Sequence, residues 1–152
     1  MVTPAPDCLI CRQEQADPDD VVFADDGWSA GVIAGYDVPG WVVLRLRPHA
    51  EGFGQLTEAE LAQFGRRARD TVAAVRTVTG AAATYLIIFG EANPHLHALI
   101  TPRTADIAEE RRLGDILKLR TEQNDARAAR TLVPALRAAY LSSTAQPIEV
   151  TA

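Results

Sequence analysis

The apolar residues of this chain alternate as in strands along most of its first hundred positions, with one long helical period in between. Short apolar runs bounded by turn residues predict strands at 21–24, 28–33 and 41–47. From residue 58 to residue 79, apolar side chains recur every three or four positions, which predicts an amphipathic helix. Thr57 and Glu60 have the spacing of a capping box at the start of this helix, and the following glycine is typical of a helix end.

Two further strands are predicted after this helix, at 84–89 and 95–101. The short turn between them indicates that they are antiparallel neighbours. Residues 106–120 and 121–141 have helical composition, and Pro134 predicts a kink or break in the second of these segments. This order of elements is typical of an antiparallel α+β domain rather than of alternating βαβ units.

The length of 152 residues predicts a single domain spanning 1–152. We expect its core in about 8–103, a helical extension in 104–141 and a loose tail in 142–152.

Charge and hydropathy exclude several function classes. The net charge of −5 argues against a protein that binds the backbone of nucleic acids, which normally presents a basic face. It leaves room for a small phosphorylated ligand. The first residues lack the basic and apolar segments of a signal peptide, and no apolar run is long enough to cross a bilayer. We therefore expect a cytoplasmic protein with no membrane partner, whose two cysteines form no structural disulfide.

The residues able to do chemistry are few, and they include a C-x-x-C pair, Cys8 and Cys11. Such a pair is either a redox centre or half of a metal site, and the absence of a helical period after it favours the metal. Two thiolates need two further ligands for a tetrahedral Cys₂His₂ zinc site. The histidines of the chain are His49, His95 and His97, so one of them would remain beside the metal, free for chemistry. The alternative is that two buried thiols and three histidines are unrelated.

His95 and His97 share one face of their predicted strand with Leu99, because side chains alternate along a strand. Taken alone, this H-x-H pattern also describes two ordinary half-exposed histidines.

Four motifs in the same order resemble the histidine-triad (HIT) family. The run 95–103 resembles the family's His-φ-His-φ-His-φ-φ motif, and 8–11 is similar to the Cys-x-Phe-Cys opening of bacterial zinc-containing members. The segment 39–49 is similar to the Pro-Gly-His strand, and Leu56-Thr57 to the start of the main helix. Residues 93–97, Asn-Pro-His-Leu-His, also show a weaker similarity to the galactose-1-phosphate uridylyltransferase branch.

This resemblance covers about 8–103 and implies a five-stranded antiparallel sheet with one long packed helix, and a homodimer. The C-terminal helices, which it does not cover, would be additions to that fold. The resemblance also implies a nucleotide hydrolase or nucleotidyltransferase that acts at the α-phosphorus of a dinucleoside polyphosphate or a nucleoside phosphoramidate. By position, His97 would be the nucleophile that forms a nucleotidyl-histidine intermediate. In zinc-carrying members, the positions of Cys8, Cys11, His49 and His95 hold a structural zinc.

Three positions depart from the family pattern. Leu99 replaces the third motif histidine, Trp41 the histidine of the Pro-Gly-His strand, and Ala92 a small hydroxyl residue. Each family residue donates a hydrogen bond near the phosphate, which an apolar side chain cannot do. The uridylyltransferase branch also lacks the histidine of the Pro-Gly-His strand, and it has glutamine in place of the third motif histidine, at the position of Leu99. The alternative function is therefore a catalytically weakened nucleotide-binding or structural HIT-like protein.

The remaining candidates would contact the substrate. Asn93 and Arg103 could donate to phosphoryl oxygens, and Trp41 could stack on a base. Leu99 would lie beside the phosphate, because it occupies the position of the third motif histidine. The ordinary alternatives are that Asn93 caps a turn, Arg103 pairs with an acid and Trp41 packs in the core.

Overall fold

A five-stranded antiparallel sheet forms the centre of the protein, seen in a computed structural model that describes residues 5–145. The strand order across the sheet is β1-β2-β3-β5-β4, and every neighbouring pair is antiparallel. The predicted α+β fold is therefore confirmed. The strands are β1 (Val21–Ala24), β2 (Trp28–Gly31), β3 (Val42–Leu46), β4 (Ala83–Ile87) and β5 (His97–Arg103).

The predicted long helix is α1, and both of its ends form as its sequence indicates. The Thr57 side chain accepts from the Glu60 backbone, and the Glu60 carboxylate accepts from the Thr57 backbone N–H at 2.7 Å. Gly80 ends the helix in the left-handed region at φ 66°, where a residue without Cβ is favoured. The helices are α1 (Glu58–Thr79), α2 (Leu119–Glu122), α3 (Ala126–Thr131) and α4 (Val133–Thr144).

Several element boundaries differ from the predicted ones. The strand expected from residue 95 begins at His97, because His95 makes only an isolated bridge to Glu51. The expected helix over 106–120 is mostly 3₁₀ turns, since Leu113 adopts a left-handed φ of 54° that interrupts a helix. Pro134 lies in the first turn of α4, where its missing N–H leaves no helical bond unmade, and the predicted break falls just before it, between α3 and α4.

The two faces of the sheet have different coverings. Helices α1 and α4 pack on one face, against buried side chains that include Leu44, Ala98 and Ile100. The N-terminal segment and part of the segment 105–122 cover the other face, around Val43 and Leu99. Because His97 and Leu99 alternate with Ala98 along β5, the H-x-H strand presents His97 to this second face.

Helix α4 is an integral part of the first layer. The Tyr140 ring stacks on Phe23 of β1 with centroids 4.1 Å apart, and its hydroxyl accepts from Arg67 of α1. We expected a loose tail from residue 142, but its first residues belong to α4, where the Ser143 hydroxyl donates to the Ala139 carbonyl. The rest of that expected tail, 146–152, lies outside the described residues. Within residues 5–145, no helix is long and apolar enough to cross a membrane.

Candidate metal centre and histidine site

Four side chains from separate parts of the chain converge at one end of β5: Cys8, Cys11, His49 and His95. Their ligand atoms all lie within 4.8 Å of one another. The Cys11 Sγ lies 3.3 Å from Nδ1 of both His49 and His95, and the Cys8 Sγ lies 3.4 Å from Nδ1 of His95. With ordinary Zn–S and Zn–N bonds, a tetrahedral zinc separates sulfur and nitrogen ligands by about 3.5 Å. The four residues therefore fit a structural zinc.

Backbone contacts bring the four ligands together. The Cys11 backbone N–H donates to the Cys8 sulfur at 3.4 Å, as the chain turns into a short 3₁₀ helix. On the opposite side, the Leu96 N–H donates to the Ala50 carbonyl at 2.8 Å, which holds the stretch after β3 beside the start of β5. The histidines that follow β3 and precede β5 thus face the same thiols.

The outer nitrogen of each histidine lies near an oxygen acceptor, hydrogen-bonded in His95 and at a longer distance in His49. His95 is fully buried, and its Nε2–H donates to the Leu46 carbonyl at 2.8 Å, which leaves the Nδ1 lone pair directed at the cysteines. His49 Nε2 lies 3.6 Å from the Glu51 carboxylate. Such outer partners fix the tautomer of a metal-binding imidazole and raise its basicity.

Burial also favours a metal at this cluster. Burial raises the pKa of the Cys11 thiol, so a thiolate there needs a neighbouring cation. Burial lowers the pKa of His95, which keeps its imidazole neutral and able to bind a metal through its lone pair.

His97 lies outside this cluster and is differently held. Its Nδ1 lies 2.7 Å from the His95 carbonyl oxygen, which can only accept, so Nδ1 carries the ring proton. The Nε2 lone pair remains available, and the half-buried side chain lines a cavity of about 270 Å³. This arrangement can deliver an uncharged nitrogen nucleophile to a molecule in the cavity.

Two of the four predicted substrate contacts lie at this cavity. Asn93 and Leu99 line it together with His97. Trp41 is only 2% exposed and packs in the apolar layer on this face of the sheet, where it lines a different cavity. Arg103 ends β5 opposite Ala83 and is not among the residues that line the cavity of His97. The geometry therefore gives no support to a substrate contact by either of these two residues.

The cavity wall also contains two residues with polar groups that sequence reasoning missed, Tyr36 and Arg120, beside apolar ones. They come from the turn before β3 and from α2, and the bond from Arg120 to the neighbouring Gly35 joins residues 85 positions apart. No local spacing connects such residues. Glu51 beside His49 was also missed, although its position two residues after a candidate ligand was a usable signal.

Comparison with known proteins identifies the fold. No family model matches the sequence, and no curated protein sequence is significantly similar to it. Among solved structures, a zinc-bound histidine triad family protein from Mycobacterium smegmatis matches with a TM-score of 0.63 at 17% identity, covering 90% of this chain and 94% of its own. Plasmodium falciparum diadenosine triphosphate hydrolase matches with a TM-score of 0.63 at 11% identity, over 84% of this chain and 80% of its own.

A uridylyltransferase shares the same fold over part of its length. It matches with a TM-score of 0.64 at 19% identity, covering 89% of this chain but 45% of the transferase. A histidine triad protein and a uridylyltransferase are therefore both among the structural neighbours. At these identities the likeness concerns the backbone, and it agrees with the strand order and the long packed helix described above. This chain has the histidine-triad fold.

Proposed function

We propose that this protein is a HIT-like nucleotide hydrolase or nucleotidyltransferase that acts at the α-phosphorus through a nucleotidyl-histidine intermediate on His97. The observation that carries this proposal is the Nδ1–H of His97 donating to the His95 carbonyl, which leaves the Nε2 lone pair available on a side chain that lines a cavity. The same fold occurs in a diadenosine triphosphate hydrolase and in a uridylyltransferase, which favours nucleotide chemistry.

The first step would form a bond between Nε2 of His97 and the α-phosphorus, using the nitrogen lone pair. The bond from phosphorus to the leaving group breaks, and the leaving group departs with its electron pair and takes a proton from solvent. The ring then carries a positive charge, which the His95 carbonyl stabilises through the Nδ1–H bond. A covalent intermediate of this kind divides one difficult displacement into two easier ones.

In the second step, water attacks phosphorus in a hydrolase, whereas the acceptor's nucleophilic group attacks in a transferase. The N–P bond breaks, its electron pair returns to Nε2, and the attacking group releases a proton to solvent. His97 is then neutral again with its proton still on Nδ1. The ring neither gains nor loses that proton in the cycle, so the bond to His95 persists throughout.

Donors must stabilise the charge on the phosphoryl oxygens in both steps. The half-buried Asn93 side chain lines the cavity beside His97 and can donate from its amide. Leu99 lines it as well but offers no donor, so this site has at least one hydrogen bond fewer than a triad with three histidines. We therefore expect a slow enzyme, since one missing donor costs on the order of a hundredfold in rate.

A zinc ion at Cys8, Cys11, His49 and His95 would have a structural role in this enzyme. Four protein ligands leave no open coordination position for water or substrate. The ion would tie the N-terminal segment to the stretch before β5 and so fix the backbone carbonyl to which His97 donates. Zinc binding in the Mycobacterium smegmatis protein with the same fold supports this assignment.

The alternative function is a nucleotide-binding or structural protein with weakened catalysis, and Leu99 in the cavity wall is the observation that favours it. Binding through the apolar wall does not need the missing donors, whereas turnover does. The two functions differ in whether His97 becomes covalently modified.

We further propose that the protein works as a cytoplasmic homodimer, with a nucleotide rather than nucleic acid or a membrane as its partner. A reducing compartment would keep both thiols available to a metal. Sedimentation equilibrium would report the dimer directly.

The decisive experiment combines turnover with detection of the adduct. The purified protein is incubated with diadenosine triphosphate and with adenosine 5′-phosphoramidate, quenched, and analysed by mass spectrometry for a nucleotidyl group on His97. We expect the adduct in the native protein and its absence in His97→Asn, whose amide N–H can replace the Nδ1 donor but which has no nucleophilic nitrogen. Hydrolysis by His97→Asn at the native rate would refute the proposal. Binding with no adduct and no turnover would favour the alternative.

A further inference from the structure

Of the described residues that line the cavity beside His97, one has a charged side chain, Arg120. The wall is otherwise built mainly from aliphatic and aromatic side chains that come from the sheet and the N-terminal segment. Arg120 belongs to α2, in the C-terminal extension that the family motifs do not cover. Arg120 is an exposed residue, so its charge is accessible to an anion that enters the cavity from solvent.

Two contacts hold the Arg120 guanidinium in place. It lies over the Tyr36 ring, 4.1 Å from the ring centroid, and its Nε–H donates to the Gly35 carbonyl. The turn that carries both partners is itself fixed, because the Asp37 carboxylate accepts from the Gly35 N–H at 2.7 Å and the Asp37 carbonyl accepts from Asp125 N–H at 2.8 Å. The planar group is therefore oriented before any ligand arrives.

None of the described carboxylates pairs with Arg120. Within residues 5–145, no carboxylate lies within 4 Å of its guanidinium nitrogens, whereas nearby Arg111 is paired with Glu122 at 2.7 Å. The Nε–H is used by Gly35, so the four N–H donors of the two Nη groups remain for a ligand. Two parallel donors on a planar fork match two oxygens of a phosphate.

We infer that Arg120 binds phosphate oxygens of the nucleotide and so supplies part of the positive electrostatic field that Leu99 cannot supply. This inference rests on the proposed function, because it assigns a phosphate contact within the same cavity. It makes the C-terminal extension part of the substrate site. Tyr36 is then a positioning residue, which acts by holding the guanidinium through its ring face.

The test compares ligands that differ by one phosphate. Binding of adenosine 5′-monophosphate (AMP) and of adenosine is measured by calorimetry for the native full-length protein, Arg120→Ala and Arg120→Lys. We expect Arg120→Ala to weaken AMP binding by about tenfold to a hundredfold, as expected for charge-assisted bonds, and to change adenosine binding by less than about twofold. Arg120→Lys keeps the charge but not the fork, so it should recover only part of the AMP affinity.

A matched control is Arg127→Ala, which removes an exposed arginine from α3, outside the lining of this cavity. It should leave the affinities for both ligands unchanged. Tyr36→Leu should weaken AMP binding in the same direction as Arg120→Ala, whereas Tyr36→Phe keeps the ring and should bind AMP as the native protein does. A general loss of structure would instead weaken adenosine and AMP binding alike.

Three outcomes would overturn the inference. Native AMP affinity in Arg120→Ala would show that the guanidinium does not contact the phosphate. Equal loss of AMP and adenosine binding in that variant would mean that Arg120 supports the nucleoside or the fold instead. In both cases the His97 adduct would still form in the native protein, so the proposed function would survive. Failure of the native protein to bind AMP, together with absence of the adduct, would remove both proposals.

Discussion

His97 donates its Nδ1–H to the backbone carbonyl of His95, two residues earlier, at 2.7 Å. The proposed nucleophile is therefore oriented by the residue that also belongs to the metal cluster. The His95 side chain points to the cysteines while its carbonyl fixes the tautomer of His97. Metal binding and nucleophile orientation thus depend on the same short segment of backbone, and disturbance of the cluster should reach His97 without any direct contact between metal and substrate.

Zinc content tests the cluster most directly. We expect about one zinc per chain in the native protein by elemental analysis and less than a tenth of that in Cys8→Ser, because a hydroxyl is a much weaker zinc ligand than a thiolate. The matched control is His97→Asn, which changes a histidine outside the cluster and should retain the full zinc content. Absence of zinc from the native protein would contradict the prediction.

Removal of the metal should also destabilise the fold. Binding to the native state contributes to the free energy of unfolding, so a chelator is expected to lower the unfolding temperature of the native protein by several degrees. Cys8→Ser should already unfold at the lower temperature and should not respond to the chelator. The same shift in both proteins would point to a non-specific action of the chelator.

Glu51 should tune the metal site without being a ligand. Its carboxylate lies 3.6 Å from Nε2 of His49, where it can orient the imidazole and increase its basicity. We expect Glu51→Gln to lower zinc affinity by about tenfold, measured by competition with a chromogenic chelator. Glu58→Gln, an exposed acid in the first turn of α1, is the control for loss of one negative charge. Equal affinity in Glu51→Gln and the native protein would contradict the role of Glu51.

The sequence predicted the features that depend on the spacing of nearby residues or on the small number of cysteines and histidines. The capping box of Thr57 and Glu60 spans three residues, so its geometry follows from the helix alone. The two cysteines and three histidines allow few different sets of four metal ligands, so the metal site could be predicted. Arg120 and Tyr36 could not be predicted, because an ordinary arginine and an ordinary tyrosine acquire meaning only when the fold brings them together. A tryptophan suits both base stacking and core packing, so the sequence could not assign Trp41 to either. Its burial in the structure favours core packing.

An ion pair between Glu14 of the N-terminal segment and the buried Arg45 predicts a pH dependence of stability. Glu14 accepts from Arg45 at 2.7 Å and from Arg47 at 2.9 Å, and the Arg45 side chain is only 5% exposed. Burial of the Glu14 carboxyl raises its pKa, but the hydrogen bonds from Arg47 and Arg45 more than offset this, so the pKa lies below its ordinary value of 4.5. A lowered pKa means that the native state binds the proton less tightly than the unfolded state does. The contribution to stability is therefore present above about pH 4.5 and is lost as pH falls through the lower, native pKa.

Glu14→Gln should reveal this contribution. At pH 7 we expect it to lower the free energy of unfolding by about 1–2 kcal/mol, because Arg45 stays buried without its counter-charge. Urea titrations at pH 7 and near pH 3 should show the difference from the native protein shrinking at the lower pH. Release of metal in acid affects both proteins equally and cancels in the difference. A difference that stays constant with pH would contradict the assignment.

Two leucines of α4 test whether the C-terminal extension belongs to the core. Leu136 is 1% exposed and packs in the layer between α1 and the sheet, whereas Leu141, on the same helix, is 61% exposed. Leu136→Ala should lower the free energy of unfolding by about 2–5 kcal/mol, since it leaves a cavity in a closely packed layer. Leu141→Ala removes the same atoms from the surface and should change it by less than about 0.5 kcal/mol. Similar small effects in both variants would mean that the packing of α4 contributes little to the stability of the fold.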